Sequence, residues 1–164
     1  MLSRYQSNPG LDHWRAAKKV MRYLKGTMDY MLTYRRSDQL EVIAYSDADF
    51  SGCLDTRKST TGYIFLLAGG AITWCSEKQS ITVTSTMAAE FIACFEASSQ
   101  AIQLRNLLID LPFINFISRP IKIYCDNSAA VFFSKNNKAT KGGRSLDIKY
   151  FALRDRVKNH EVSI

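Results

Sequence analysis

The chain has 164 residues, 46% hydrophobic, 12% aromatic and 23% charged, with a formal charge of +7. That length suits one compact folded domain with its own core, and the composition excludes a disordered, collagen-like or disulfide-framework chain. The longest apolar stretch, around Tyr63 to Ile72, is interrupted by Gly69-Gly70 and is far shorter than a membrane span. The Met1 to Tyr5 start carries no apolar block, so an intracellular protein, cytoplasmic or nuclear and without membrane attachment, is expected.

Charge is unevenly spread. Residues 1–40 hold eight basic and three acidic residues, residues 41–118 four and eight, and residues 119–164 ten and four. Carboxylates gathered between basic ends suit either an ordinary mixed surface or a metal site facing a polyanion. Cys53, Cys75, Cys94 and Cys125 form no Cys-x-x-Cys pair, and only His13 and His160 accompany them. Zinc is therefore not expected, and the cysteines read as buried thiols without assigned chemistry.

In chain order, Asn8-Pro9 precedes a helix over 11–25 that spaces Leu11, Trp14, Ala17, Met21 and Leu24 along one face. Trp14 is expected to be covered by its helical neighbours, and Tyr30 to Tyr34 reads as a short strand. Alternation from Glu41 to Asp49 predicts the first core strand. Two apolar runs, 62–68 and 71–75, flank Gly69-Gly70 as a hairpin. Ser85-Thr86 offers a cap for a long helix over 87–109. A strand over 121–125, a short helix over 128–134, a basic amphipathic helix over 147–158 and a last strand from Val162 complete the pattern. Residues 135–145 are basic, polar and glycine-bearing, which marks a loop.

This order predicts an α/β fold with a mixed five-stranded sheet, three antiparallel strands followed by parallel ones, and flanking helices. The third strand of a meander runs with the first, so the long helix starts beside the end of the first strand at Asp47, with Glu90 in its first turns. The strand over 121–125 returns parallel to the first and brings Asp126 to the same edge. Singly, each residue is an ordinary turn or helix-start carboxylate. Together, three carboxylates repel one another unless a proton or cation intervenes, and hard oxygen donors suit Mg²⁺ or Mn²⁺.

Several strings in sequence support a resemblance: Trp14 to Thr27, Tyr45-Ser46-Asp47-Ala48-Asp49-Phe50-Ser51-Gly52, Arg57-Lys58-Ser59-Thr60-Thr61-Gly62-Tyr63, Ser76-Glu77-Lys78-Gln79, Ala88-Ala89-Glu90-Phe91 and Tyr124-Cys125-Asp126-Asn127. Over nearly its whole length the chain resembles the ribonuclease H region of copia-type retrotransposon Pol polyproteins, preceded by the end of the reverse transcriptase. The resemblance implies a ribonuclease H-like fold over 41–164 and a reverse transcriptase segment over 1–40. It also implies a hydrolase, an endonuclease acting on the RNA strand of an RNA:DNA hybrid with two divalent ions, and a partner in the reverse transcriptase portion of the parent polyprotein. The family's first three metal-binding carboxylates fall on Asp47, Glu90 and Asp126. A fourth follows the last strand in the family, and the chain reaches Ile164 before it. A truncated site is thus expected, with Asp49 or Asp147 as substitute ligands. Where the family shows Lys-His-Ile before Asp147, Arg144-Ser145-Leu146 stands here.

Recognition of a hybrid relies on phosphates and 2′-hydroxyls more than on bases. Arg57, Lys58, Lys78, Lys138, Lys141 and Arg144 are candidates for phosphate contacts, and Asn127 and Ser128, at a helix start beside Asp126, for contacts to a hydroxyl or phosphate. A second reading is a catalytically impaired transposon remnant that only binds nucleic acid or a protein partner, the latter through the apolar stretch Leu111 to Ile117.

Overall fold

The computed structural model describes residues 2–37, 40–53, 56–109, 120–135 and 144–164, without the side chains of Ser3, Arg4, Arg144 and Ser145. The chain forms two compact units, Met1–Thr33 and Tyr34–Ile164.

In the first unit a 3₁₀ turn over Leu2–Tyr5 precedes α1 (Leu11–Gly26). The helix starts where His13 Nδ1 accepts the Gly10 N–H at 3.0 Å, with Tyr5 stacked on the His13 ring at 4.0 Å. It ends where Thr27 Oγ1 donates to the Tyr23 carbonyl at 3.0 Å. No residue of α1 is buried, and Trp14 is 62% exposed, contrary to the expected cover. Neighbours at i+3 and i+4 shield only part of a large ring, and shielding the rest takes a second element. The strand expected over 30–34 does not form either. At its end Tyr34 and Arg35 make single bonds, from the Tyr34 hydroxyl to the Ala71 carbonyl at 2.8 Å and from the Arg35 N–H to the Ala68 carbonyl at 2.9 Å.

The second unit is built on five strands: β1 (Val42–Asp49), β2 (Thr60–Leu67), β3 (Gly70–Lys78), β4 (Ile121–Cys125) and β5 (Val162–Ser163), in the order β3-β2-β1-β4-β5. β1, β2 and β3 pair antiparallel; β4 pairs parallel to β1, and β5 parallel to β4. The two-residue turn between β2 and β3 is Ala68-Gly69, both at positive φ as a primed hairpin turn requires. α2 (Thr86–Ile109), α3 (Ser128–Lys135) and α4 (Arg144–Lys158) complete the unit. The mixed sheet with flanking helices agrees with the sequence expectation.

α2 is alanine-rich because it lies close on the sheet. Ala89, Ala93, Ala97 and Ala101 are fully buried, and the helix joins Ala44, Phe65 and Ile123 of the strands in one apolar cluster. Its other side meets α3 and α4 through Phe91, Cys94, Ala130, Tyr150 and Leu153. Polar clamps fix these layers. Arg156 of α4 donates to Ser98 Oγ at 2.7 Å and Ser99 Oγ at 2.8 Å and lies over the Phe95 ring, while Lys149 pairs with Glu96. Gln79, buried just past β3, donates its amide to Thr61 Oγ1 of β2 at 3.1 Å and to the Ala89 carbonyl of α2 at 2.9 Å. That amide ties the hairpin to the turn of α2 that carries Glu90. Gln79→Leu leaves both acceptors without this donor, so the urea unfolding midpoint should fall by the equivalent of about 1–3 kcal/mol with an unchanged slope.

Candidate metal centre

Three elements deliver carboxylates to the carboxyl-terminal edge of β1 and β4. On β1, Val42, Ala44 and Ser46 are buried, so the alternating Tyr45 and Asp47 belong to the opposite face, where both are exposed. β4 pairs with β1 up to Ser46 opposite Cys125, so Asp126, the next residue, emerges beside Asp47. α2 begins with Ser85 as its cap, Ser85 Oγ accepting the Ala88 N–H at 3.2 Å and its carbonyl the Ala89 N–H at 3.1 Å, which orients Glu90 one residue later. Asn127 caps α3 in the same way, its Oδ1 accepting the Ala130 N–H at 3.0 Å.

Glu90 and Asp126 come together, and Asp47 meets Glu90 at one backbone donor. The Ala48 N–H is shared between Asp47 Oδ1 at 2.8 Å and Glu90 Oε1 at 3.2 Å, so one donor binds carboxylates from β1 and α2. Ligand atoms of Glu90, Cys125 and Asp126 all lie within 4.8 Å of one another, the one such group among the described residues. Asp47, Asp49 and Asp147 do not belong to this group, and Asp47 is linked to it through the Ala48 N–H that it shares with Glu90. Asp49 is turned into the following loop. A Cβ on Gly52 would stand 1.9 Å from Asp49 Oδ2, so the carboxylate occupies the space that glycine leaves.

Glu90 carries the electrostatic strain of the edge. It is 8% exposed, and its Oε2 is buried without a hydrogen-bond partner. Its pKa is pushed up to about 7, first by burial and further by the charges of Asp47 and Asp126, with the Ala48 N–H opposing. Behind it, Cys94 Sγ lies 3.2 Å from Ser46 Oγ. The Cys94 thiol is pushed up, foremost by its hydrogen bond to Cys125, and Cys125 is lowered by the same bond. A buried carboxylate oxygen without a donor, among like charges, fits a divalent cation. Cys125 received no chemistry in the sequence reading, and its adjacency to Asp126 was the only available signal.

The basic candidates are scattered around this edge. Arg57 is exposed on the loop after β1, at φ 52°. Lys58 Nζ donates to the Ser80 carbonyl at 3.2 Å and Lys78 Nζ to Cys53 Sγ at 2.7 Å, so both ammonium groups already serve the fold. Ser128 is exposed at the start of α3 beside Asn127. Lys138, Lys141 and the stretch from Leu111 to Ile117 lie outside the described residues, as does the side chain of Arg144.

The raised Glu90 pKa has a stability consequence with a definite sign. Between its ordinary value of 4.5 and about 7, the folded state keeps a proton that the unfolded chain has lost. This contribution is complete below pH 4.5 and disappears as pH rises through 7, on the order of 3 kcal/mol in all. In chelator-treated protein the thermal midpoint should fall across this window, and Glu90→Gln should flatten the fall.

No protein-family model matches the chain. It is 36% identical over 164 residues, all of its length, to the retrovirus-related Pol polyprotein from transposon TNT 1-94 of Nicotiana tabacum, of which it spans 12%. It is 40% identical over 104 residues, 63% of its length, to the secreted RxLR effector protein 161 of Plasmopara viticola, covering 73% of that protein. Among solved structures, LC11-RNase H1, isolated from compost by a metagenomic approach, superposes with a TM-score of 0.53 at 16% identity, covering 75% of this chain and 81% of that one. That likeness establishes the fold. The chain belongs to the retrovirus-related Pol polyproteins of transposons, as a segment with the ribonuclease H fold.

Proposed function

We propose that the chain binds RNA:DNA hybrids and hydrolyses the RNA strand, with Asp47, Glu90 and Asp126 as the carboxylates that hold two divalent ions, Mg²⁺ or Mn²⁺. The observation that carries this reading is the buried, unpartnered Glu90 Oε2 at the edge where Asp47 and Asp126 also arrive. Residues 1–40 then correspond to the end of the reverse transcriptase, and the rest of the parent polyprotein is the partner. Ions held there would activate water and neutralise charge on the leaving oxygen of a phosphodiester.

The chain's own residues do the positioning. Glu90 reaches the edge from the helix layer and Asp47 from the opposite face of the sheet, so acceptors flank the line along which a phosphate would lie. The Ala48 N–H holds both carboxylates in place. Asn127 and Ser128, at the positive end of α3, would donate to a 2′-hydroxyl or phosphate. Arg57 would contact the backbone of the hybrid, with Lys58 and Lys78 supporting the loop it stands on.

The test is cleavage of a labelled RNA:DNA hybrid with Mg²⁺, with Mn²⁺ and with EDTA. Cleavage should need the ion and spare the DNA strand, and Asp47→Asn should reduce it by about 100-fold or more with the fold intact. Full activity in Asp47→Asn would overturn the assignment. Hybrid bound but left uncut under either ion would put a binding module in place of the nuclease. Affinity should fall steeply with rising salt, and Arg57→Glu should weaken binding and shallow the salt dependence. An unchanged affinity in that variant would remove the loop from the interface.

A further inference from the structure

Cys125 adds a sulfur to a donor set that is otherwise oxygen. We propose that Cys125, Glu90 and Asp126 form a binding site for a thiophilic divalent cation such as Zn²⁺ or Cd²⁺, and that its occupancy excludes the Mg²⁺ or Mn²⁺ needed for hydrolysis. The exclusion rests on the function proposed above, whereas the site itself rests on the placement of these three side chains.

Two independent observations support the site. The ligand atoms of the three residues lie within 4.8 Å of one another, a spacing that closes around an ion with metal–sulfur and metal–oxygen bonds of about 2.3 and 2.1 Å. Glu90, 8% exposed, supplies a buried oxygen with no hydrogen-bond donor. Access differs among the cysteines in the way the site requires. Cys125 is half-buried, whereas Cys94 is 1% exposed and engaged with Ser46 Oγ. The Cys94 sulfur is hydrogen-bonded to the Cys125 sulfur and stands behind it as an outer-shell partner stands behind a ligand. Cys53 contacts Lys78, and Cys75 lies on β3, and neither belongs to a comparable donor group among the described residues.

The chemistry separates this ion from the hydrolytic ones. As the metal–sulfur bond forms, the Cys125 thiol proton leaves to solvent, and the thiolate then favours Zn²⁺ over Mg²⁺ or Mn²⁺. A sulfur-bound ion takes Glu90 and Asp126 as its oxygen ligands, so it competes with the harder ions for the same two carboxylates. The absence of Cys-x-x-Cys spacing does not bear on this site, because its ligands come from α2 and from the end of β4.

The experiment is a titration of the whole reduced chain with Cd²⁺, reading the ultraviolet sulfur-to-metal charge-transfer band. A band should saturate at one ion per chain, vanish in Cys125→Ser and Cys125→Ala, and survive in Cys75→Ser, with circular dichroism confirming that each variant folds. No band, or a band unchanged in both Cys125 variants, overturns the site. In parallel, Zn²⁺ is added to Mg²⁺-supported hybrid cleavage, and inhibition is scored against each protein's own uninhibited rate. Cys125→Ser should need about tenfold more Zn²⁺ for half inhibition. Equal sensitivity overturns the exclusion while leaving the nuclease reading intact. A Cys125-dependent band in a chain that cuts no hybrid supports the site and overturns the nuclease reading.

Discussion

Parallel pairing of β1 with β4, in the register that sets Ser46 opposite Cys125, is the constraint on which the rest of the unit depends. Parallel neighbours must be joined by a long crossover, and α2 is the long helix in that connection. The helix has to start where β3 finishes and lie across β1, which sets its first turns above the carboxyl-terminal edge. The alanines follow from that demand. A helix bearing larger side chains at Ala89, Ala93 and Ala97 would stand farther from the sheet, and Glu90 would not reach the N–H of Ala48.

The same geometry accounts for the electrostatics. The edge gathers Asp47, Glu90 and Asp126 with few donors to satisfy them, and one N–H is divided between two carboxylates. Burial falls chiefly on Glu90, which holds a proton near neutrality as a result. Elsewhere Gln79 bridges β2 and α2 through its amide N–H and Arg156 binds two serines of α2, while Gln79 Oε1 and Arg105 Nε are, like Glu90 Oε2, buried without a partner. What sets Glu90 Oε2 apart from those two atoms is that it lies among carboxylates, so the missing donor is compounded by like charge.

The cysteines show how one topology builds two layers of such a site. Ser46, Cys94 and Cys125 lie beneath the carboxylates on the helix side of the sheet, linked by hydrogen bonds, and Cys125 rises from that layer into the donor group. Asp47 lies outside this donor group but meets Glu90 at the shared Ala48 N–H.

The sequence by itself determined the order and type of the core elements, because periodicity two from Glu41 to Asp49 and the run from Met87 to Ile109 are local signals. It also determined that Asp47, Glu90 and Asp126 reach one edge, since strand direction follows from counting hairpins and crossovers. It misjudged Trp14 and the segment from Tyr30 to Tyr34, where apolar character was read as cover and as pairing that need a second element. Only the tertiary structure decided that Lys58 and Lys78 serve the loop, that Asp49 packs against Gly52, and that Glu90 retains a partnerless buried oxygen. It alone placed Cys125 with Glu90 and Asp126. Those outcomes depend on distances between residues far apart in the chain, which side-chain packing sets and no local pattern encodes.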